Sequence, residues 1–300
     1  MTIGVLVVDK PAGMTSHDVV DQVRRLAGLR RVGHTGTLDP MATGVLVLLL
    51  GAATRLSRFA TAEKKRYRGV IRLGQTTTTY DAEGEIVEER PVDVTLSAIR
   101  GALTRFTGHI EQVPPMYAAI KVDGQKLYEL ARRGKEIERE PREVTIYAID
   151  LLDWSPPDVT IAVTCSSGTY IRSLAHDLGK ELGCGAHLYA LRRTANGPFE
   201  LAQSHSLAEL QKLHDEGRFD KALLPPHAAL DSMPVAVLSP AQEQAVRYGQ
   251  QIAVEVPGVD TYVQARGPND RLIAVLTKLD EGLFRPTVVL PPMEPSGEAN

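Results

Sequence analysis

The chain carries at residues 33–44 the stretch Gly33-His34-Thr35-Gly36-Thr37-Leu38-Asp39-Pro40-Met41-Ala42-Thr43-Gly44. This glycine-rich segment contains one carboxylate, that of Asp39, and ends just before the apolar run 45–50. Pro40 has a fixed φ and disfavours the α conformation at Asp39, which is therefore held in an extended or turn conformation. A carboxylate before proline commonly bonds to its own backbone in a turn, and that is the alternative to a functional role.

Length and composition indicate one large domain, or one with a small appendage, because 300 residues with 43% hydrophobic content can bury a sizeable core. The net charge of −3 does not by itself indicate a nucleic-acid-binding protein, since phosphate binding depends on clustered Lys and Arg. Such clusters are present at Arg24, Arg25, Arg30 and Arg31; at Lys64, Lys65, Arg66 and Arg68; at Arg132, Arg133 and Lys135; and at Arg192 and Arg193. Each is either an ordinary solvated surface or part of a basic face.

The cysteines and the apolar segments indicate in which cellular compartment the protein is found. Cys165 and Cys184 lack the CxxC spacing of a zinc or redox site, so neither a disulfide framework nor a metal centre is predicted. The first residues lack the basic region and cleavage pattern of a signal peptide, and the longest apolar run is far shorter than the ~20 residues of a membrane span. We therefore expect a cytoplasmic protein without a metal ion or a membrane segment.

Helical and alternating patterns place the next candidates. Ser16 is expected to cap a helix whose apolar residues recur at helical spacing until Gly28 ends it. From Lys65 to Leu73 the pattern alternates, which predicts a strand with Tyr67 on its inner face. A buried tyrosine needs a partner for its hydroxyl, so Tyr67 is either a core residue bonded to backbone or a site residue.

Arg172 stands out by its position in a predicted helix. That helix follows the turn at 166–169 and ends at Gly183. A cation in the first turn is unfavourable against the helix dipole unless a negative group faces it. The dipole argument therefore predicts an acidic partner for Arg172.

The last quarter of the chain is predicted to form a small unit of its own. Prolines at 225, 226 and 234 suggest a boundary, and Ser239 followed by Pro240 is typical of a helix start. Strands are predicted at Ile252 to Val256, Tyr262 to Ala265, Leu272 to Lys278 and Thr287 to Leu290. One helix with four or five short strands suits a small β-barrel.

Five further motifs occur in the order in which one known family has them. They are Asp9-Lys10-Pro11 with Gly13 and Thr15-Ser16; Lys65-Arg66-Tyr67; Pro114-Pro115-Met116-Tyr117 with Lys121-Val122-Asp123-Gly124; Gly168-Thr169-Tyr170-Ile171-Arg172-Ser173-Leu174; and Leu191-Arg192-Arg193-Thr194 with Gly197-Pro198-Phe199. Together with residues 33–44, they resemble the motifs of the bacterial tRNA pseudouridine synthase B (TruB) family. The resemblance covers most of the chain, and enzymes of this family isomerise the T-loop uridine 55 of tRNA.

The resemblance implies a fold and a division into domains. The fold class is α+β, with a mixed, largely antiparallel sheet in a pseudouridine synthase catalytic domain that has helices and a thumb insertion. Residues 1–232 would form this domain with the insertion at about 121–142, residues 233–292 a PUA-like RNA-binding β-barrel, and residues 293–300 a disordered tail. The family also implies a monomer whose partner is the T-arm stem-loop of tRNA.

The same resemblance assigns roles residue by residue. Asp39 is implied as the nucleophile at C1′ or as the base for the 2′ proton, and Arg172 as the partner that keeps it ionised. Tyr67 is implied to stack on the uracil and to accept the C5 proton. Tyr170 and Leu191 are implied to form the walls of the uracil pocket. His34 is implied to enter the space that the flipped base leaves, and Lys10 and Pro11 to support the site structurally. Taken without the resemblance, His34 is an ordinary surface residue, Leu191 a core residue and Lys10 an exposed lysine.

The isomerisation of uridine makes specific chemical demands, and the motifs of several other enzyme classes are absent from the chain. Breaking the glycosidic bond and rejoining the base through carbon needs no redox change or group donor, so no cofactor is required, while access to a stacked nucleotide calls for base flipping. The chain lacks a phosphate loop, a zinc-hydrolase HExxH motif and a serine-hydrolase GxSxG motif, and residues near Asp39 offer no second acid for glycosidase chemistry. Two alternatives stay open: an RNA-binding module that assists tRNA folding, and the guide-RNA-dependent archaeal and eukaryotic relatives. The lack of a long N-terminal extension or basic tail favours the stand-alone type.

Overall fold

The structure, a computed structural model, describes residues 2–60, 64–117, 121–122, 125–126 and 137–292. In these ranges the α-helices are α1 (Ser16–Ala27), α2 (Leu96–Arg105), α3 (Ile171–Glu181), α4 (Leu207–Asp215) and α5 (Pro240–Arg247). The strands are β1 (Gly4–Lys10), β2 (Val32–His34), β3 (Thr43–Leu50), β4 (Lys64–Leu73), β5 (Gln75–Thr77), β6 (Ile86–Glu89), β7 (Gly108–Gln112), β8 (Lys121–Val122), β9 (Gln125–Lys126), β10 (Arg142–Ser155), β11 (Asp158–Ser166), β12 (Ala186–Asn196), β13 (Phe199–Glu200), β14 (Val235–Val237), β15 (Ile252–Ala253), β16 (Tyr262–Arg266), β17 (Leu272–Asp280) and β18 (Leu283–Val289). Most of the insertion predicted at 121–142 and the tail predicted at 293–300 lie outside the described residues.

The first sheet organises the larger part of the chain. Its strand order is β1-β3-β12-β4-β11-β10-β7, with β2 added to β3 and β13 added to β12. Neighbouring strands run antiparallel except β3 and β12, which are parallel. The expected mixed, largely antiparallel sheet is therefore confirmed. Within the described ranges, no helix is long and apolar enough to cross a bilayer.

The predicted strand at 65–73 lies near the middle of this sheet as β4. Its residues alternate between exposed and buried, and the buried ones include Tyr67, Ile71 and Leu73. They belong to a core that also contains the apolar faces of α1, α2 and α3. Because each fully buried Leu, Ile or Val contributes about 1.5–3 kcal/mol, this face decides the register of β4.

Helix α1 shows one difference from the prediction. Thr15, not Ser16, is the N-cap, and its hydroxyl accepts from the backbone N–H of Asp18. Ser16 is buried and bonds across to Leu38, donating to its carbonyl at 3.0 Å and accepting from its N–H at 2.8 Å. The predicted end at Gly28 is confirmed, since Gly28 has φ +63° and closes the helix.

The parallel contact between β3 and β12 depends on Gly44. This residue has φ +101°, and a Cβ built on it would lie 2.2 Å from the carbonyl oxygen of Arg193. Any larger residue would force the strands apart. The glycine that ends the 33–44 segment thus brings the Asp39 loop, defined here as residues 35–42, against β12.

The C-terminal segment forms a second, five-stranded sheet in the order β14-β16-β17-β18-β15, with α5 packed beside it. Ser239 caps α5 as predicted, whereas β14 was not predicted. Among the described residues, edge strands β14 and β15 are not paired with each other, so the sheet is open rather than a closed barrel. Apolar residues of both sheets, including Val47 and Val275, share one core.

Candidate active site

Lys10 fixes the Asp39 loop from behind. Its side chain, at the end of β1, has no accessible surface. Its Nζ donates to the carbonyl oxygens of Pro11, Met14 and Pro40 at 2.9, 2.5 and 3.0 Å. Burial lowers the pKa of Lys10 to about 8, and the negative charge of Asp39 opposes that lowering. The interpretation of Lys10 as an exposed lysine is therefore wrong, because these carbonyls hold it inside the protein.

Arg172 is the centre of the site. It lies in the first turn of α3 and retains only 4% of its side-chain surface. Its Nη2 donates to Asp39 Oδ1 at 2.9 Å and to the carbonyl oxygen of Tyr117 at 2.9 Å. Its Nη1 donates to the carbonyl oxygen of Thr79 at 3.3 Å and lies 3.4 Å from Asp81 Oδ2. The acidic partner predicted from the helix dipole is present, and a second one accompanies it.

Tyr80 holds the second acidic partner in place. It adopts φ +63°, a left-handed conformation that is uncommon for a bulky side chain. Its ring stacks on His176, with ring centroids 3.9 Å apart. Since His176 follows Arg172 by one turn of α3, the stacking docks the 79–81 turn on the helix. Thr79 and Asp81 thereby reach the guanidinium from the same side.

The carboxyl group of Asp39 is both paired and accessible. Its side chain retains 30% of its surface, so solvent or a ligand can reach it. Burial raises the pKa of Asp39 above its usual range, the Arg172 charge opposes this rise, and the Asp81 charge adds to it. The expectation that Arg172 favours the ionised form is consistent with this balance, although burial is the larger effect.

Tyr67 and Leu191 lie on neighbouring strands of the first sheet. Both are 7% exposed and belong to the same core. Gly69 is directly opposite Leu191 in the pairing of β4 with β12, and a Cβ there would make ordinary van der Waals contacts with Leu188 Cδ1 at 3.5 Å and Leu191 Cδ1 at 3.7 Å. Burial raises the pKa of Tyr67, while the positive charge of the neighbouring Arg193 favours the phenolate.

Tyr170 is fixed at the start of α3. Its N–H donates to Gln112 Oε1 at 2.9 Å, and its carbonyl accepts from Gln112 Nε2 at 3.2 Å. Burial raises the pKa of Tyr170, which is also influenced by the charges of Arg142, Arg172 and Asp39. The ring therefore belongs to the same electrostatic environment as the ion pair.

His34 and Pro11 are the two remaining candidates from the sequence. His34 is half-buried at the end of β2, and burial lowers its pKa. Its Nδ1 is buried and, among the described residues, has no hydrogen-bond partner. Pro11 is exposed and contributes its carbonyl oxygen to Lys10. In the described ranges, no three His, Cys, Asp or Glu side chains are grouped so that they could hold a metal ion.

An accessible carboxylate held by a buried guanidinium, with a buried phenol nearby, can attack or deprotonate a sugar carbon. Residues 24–171 of this chain match the profile of the TruB family pseudouridylate synthase N-terminal domain, and residues 172–231 match the tRNA pseudouridylate synthase B C-terminal domain. A tRNA pseudouridine synthase B of Pseudomonas aeruginosa is 47% identical over 94% of this chain and 94% of its own length. The chain belongs to the TruB family. A tRNA pseudouridine synthase B of Dechloromonas aromatica is 49% identical over 84% of each chain.

Solved structures extend the TruB likeness to the fold. A chain in a crystal structure of a Cbf5–Nop10–Gar1 complex superimposes with a TM-score of 0.74 at 29% identity, covering 93% of this chain and 79% of that one. A chain in an H/ACA RNP bound to a substrate RNA containing 2′-deoxyuridine gives 0.76 at 27% identity, covering 96% and 85%. The C-terminal sheet beyond residue 231 lies outside both matched family profiles.

Sequence reasoning missed two residues of this TruB site. Asp81 is not among the predicted site residues, yet its side chain is 3% exposed and faces Arg172. Arg193 was interpreted as one member of a basic cluster, yet it is fully buried. Arg193 lies directly opposite Tyr67 in the pairing of β12 with β4, a register that the sequence does not show.

Proposed function

We propose that this protein isomerises uridine to pseudouridine in tRNA. The observation that carries the proposal is the Asp39–Arg172 ion pair, set in the 33–44 loop of a chain that is 47% identical to a tRNA pseudouridine synthase B. An aspartate at this position has the accessible carboxylate that attack at C1′ or removal of the 2′ proton requires. The substrate we propose is uridine 55 of the T-arm, everted from its stack into the site.

The roles of the remaining residues follow from their positions. We propose that Tyr67 stacks on the uracil and accepts the C5 proton, while Tyr170 and Leu191 line the pocket. Burial raises the pKa of Tyr67 and so opposes loss of its phenol proton, whereas the neighbouring Arg193 charge favours that loss. The role of Tyr67 as a base therefore depends on Arg193. His34, whose Nδ1 is unsatisfied among the described residues, is proposed to contact the RNA loop, and Lys10 and Pro11 to support the site.

The test of this function uses unmodified tRNA. Incubation of the protein with a tRNA transcript is expected to convert uridine 55 alone, with no added cofactor, and the conversion is read by mapping pseudouridine along the transcript. The matched control is a transcript with cytidine at that position, which should remain unmodified throughout. Conversion at scattered uridines, or none, would contradict the proposed substrate.

The rate should depend on pH through Asp39. The ionised carboxylate is the active form, and burial raises the pKa of Asp39, so single-turnover rates should fall as the pH drops through that raised value. We expect the midpoint of this acid limb above the value of about 3.9 that an ordinary aspartate has. RNA binding measured at each pH separates the rate from affinity. A rate that stays level down to about pH 4 speaks against Asp39 as the titrating group.

We propose that the C-terminal sheet is an accessory RNA-binding unit of the PUA type, corresponding to residues 233–292 beside a catalytic domain at 1–232. Tyr248, at the end of α5, is 74% exposed and could stack on a base, a contact worth about 1–3 kcal/mol. Tyr248→Ala should weaken tRNA affinity by that amount in filter-binding titrations while the turnover of bound tRNA stays the same. Tyr189→Ala, at an exposed tyrosine of β12, is the control; equal effects of the two variants would remove the support for this unit.

The identity values also bear on the mode of action. Identity to the two tRNA pseudouridine synthases B is 47–49%, against 27–29% to the Cbf5 and H/ACA RNP chains. We infer that the protein acts without a guide RNA, as a cytoplasmic monomer. A role in tRNA folding by binding alone is separated from catalysis by the Asp39 variant described in the Discussion.

A further inference from the structure

The guanidinium of Arg193 is buried beside the candidate active site. The side chain lies in β12 with no accessible surface, and none of the described carboxylates forms an ion pair with it. A buried charge is costly unless hydrogen bonds satisfy it. The hydrogen-bond partners of Arg193 therefore show which interactions compensate for the desolvation of its charge.

Its guanidinium donates hydrogen bonds to backbone carbonyls in and after the Asp39 loop. Nη2 donates to Gly36 at 3.1 Å, Nη1 to Thr37 at 3.3 Å and Nε to Val45 at 2.7 Å. Gly36 and Thr37 precede Asp39 by three and two positions, and Val45 lies in β3 after it. One planar group thus holds both ends of the loop that carries the carboxylate.

Tyr67 is the neighbour of Arg193 on the next strand. Arg193 and Tyr67 are directly opposite each other in the antiparallel pairing of β12 with β4, so their side chains lie on the same face of the sheet. The positive charge of the guanidinium acts on the phenol and favours its ionised form. On its other side, Arg193 is opposite Gly44 in the parallel pairing with β3, where only glycine permits the approach.

We propose that Arg193 is a positioning residue that holds the Asp39 loop in a fixed position next to Tyr67. The proposal rests on the proposed function for its meaning in catalysis. A guanidinium presents five N–H donors in a rigid plane, so the bonds to the three carbonyls also fix where its charge lies relative to the phenol. A lysine ammonium is a point charge on a flexible stem and cannot make the same set of bonds.

The charges around Tyr67 give Arg193 a second effect. The phenol is faced by Arg193 from β12, by Cys165 from β11 and by Asp39 from the loop. Burial raises the pKa of Cys165 to about 11, which leaves a neutral thiol, and the Asp39 charge raises the pKa of Tyr67. Of these three groups, Arg193 is the one that favours the phenolate.

The kinetic test compares Arg193→Gln and Arg193→Lys, alone and combined with Tyr67→Phe. Each Arg193 variant should lower the single-turnover rate by about 100-fold, the cost of a small misplacement, while RNA affinity stays nearly the same. The loss should be clearly smaller in the Tyr67→Phe background, because part of it acts through the hydroxyl. Arg72→Gln removes a guanidinium from the exposed face of β4, where it pairs with Asp158, and should leave the rate unchanged. Arg193→Lys keeps a buried cation and serves if Arg193→Gln does not fold.

The spectroscopic test needs no RNA, so it is independent of the proposed function. A fluorinated tyrosine at position 67, whose phenol ionises nearer neutral pH, is titrated by fluorine NMR. Arg193→Gln should raise the pKa of the fluorinated phenol, so that its acid dissociation constant falls roughly tenfold. Arg72→Gln should leave that pKa unchanged. An unchanged titration in Arg193→Gln, or rate losses that simply multiply with those of Tyr67→Phe, would each overturn the proposal. Absence of pseudouridine in every reaction would instead refute the proposed function.

Discussion

Asp39→Asn should abolish pseudouridine formation while the variant still binds tRNA. The amide has nearly the same size as the carboxylate, and its oxygen can still accept from Arg172, so the loop keeps its shape. It lacks the charge and the nucleophilic oxygen, and loss of such a group lowers the rate by about 10⁴-fold or more. Single-turnover assays on unmodified T-arm RNA, with affinity measured in parallel, provide the test.

Asp158→Asn is the matched control for this change. Asp158 also pairs with an arginine, Arg72, at 2.8 Å, but the pair lies on the outer face of the sheet. Its loss should leave the rate intact and cost about 1 kcal/mol, the upper end for ion pairs that solvent reaches, because both side chains are half-buried. Full activity in Asp39→Asn would refute the role of this carboxylate, whereas binding without activity would leave any folding role to RNA contact alone.

Arg172→Gln should cause the second-largest loss, and it should affect stability as well as rate. The substitution leaves two carboxylates, those of Asp39 and Asp81, near each other without the cation between them. Breaking a buried pair in this way costs about 3–5 kcal/mol of unfolding free energy. The misplaced Asp39 should lower the single-turnover rate by at least about 100-fold. Urea unfolding and single-turnover assays measure the two effects.

The pH dependence of this stability loss has a definite sign. Burial already raises the pKa of Asp39 in the folded state, and removal of Arg172 raises it further. The folded variant then holds its proton more tightly than the unfolded chain, so the stability deficit should be largest above the raised pKa and shrink as the pH falls through it. Arg172→Lys keeps a cation at this position and should show a smaller deficit. Arg72→Gln, which removes an arginine from the outer face of the sheet, is the control. A deficit that grows towards acidic pH would show that some other group dominates.

Local patterns in the sequence were enough to place several parts of the site. Alternation between 65 and 73 put Tyr67 on the buried face, because a two-residue period reports which side of a strand packs. The start of α3 required an acid for Arg172, because the helix dipole acts within one turn. The end of α1 at Gly28 followed from the left-handed conformation that glycine readily adopts.

Other parts depended on contacts between distant segments. The burial of Lys10 arises because Pro40, thirty positions away, closes over it. The open C-terminal sheet and its shared core with the first sheet follow from how the two sheets pack, which short patterns do not report. The cap of α1 at Thr15 rather than Ser16 was decided by Leu38, which engages the Ser16 hydroxyl from another loop.

The sequence by itself therefore determined the α+β class, the faces of the main strands and helices, and the acid and base types that the site contains. Only the tertiary structure decided that Arg172 lies between Asp39 and Asp81, and that Arg193 joins the Asp39 loop to Tyr67. The physical reason is the range of the interactions. Periodicity and caps act over a few residues, whereas these guanidiniums bond to groups 55 to 157 positions away, and strand order and register bring them together.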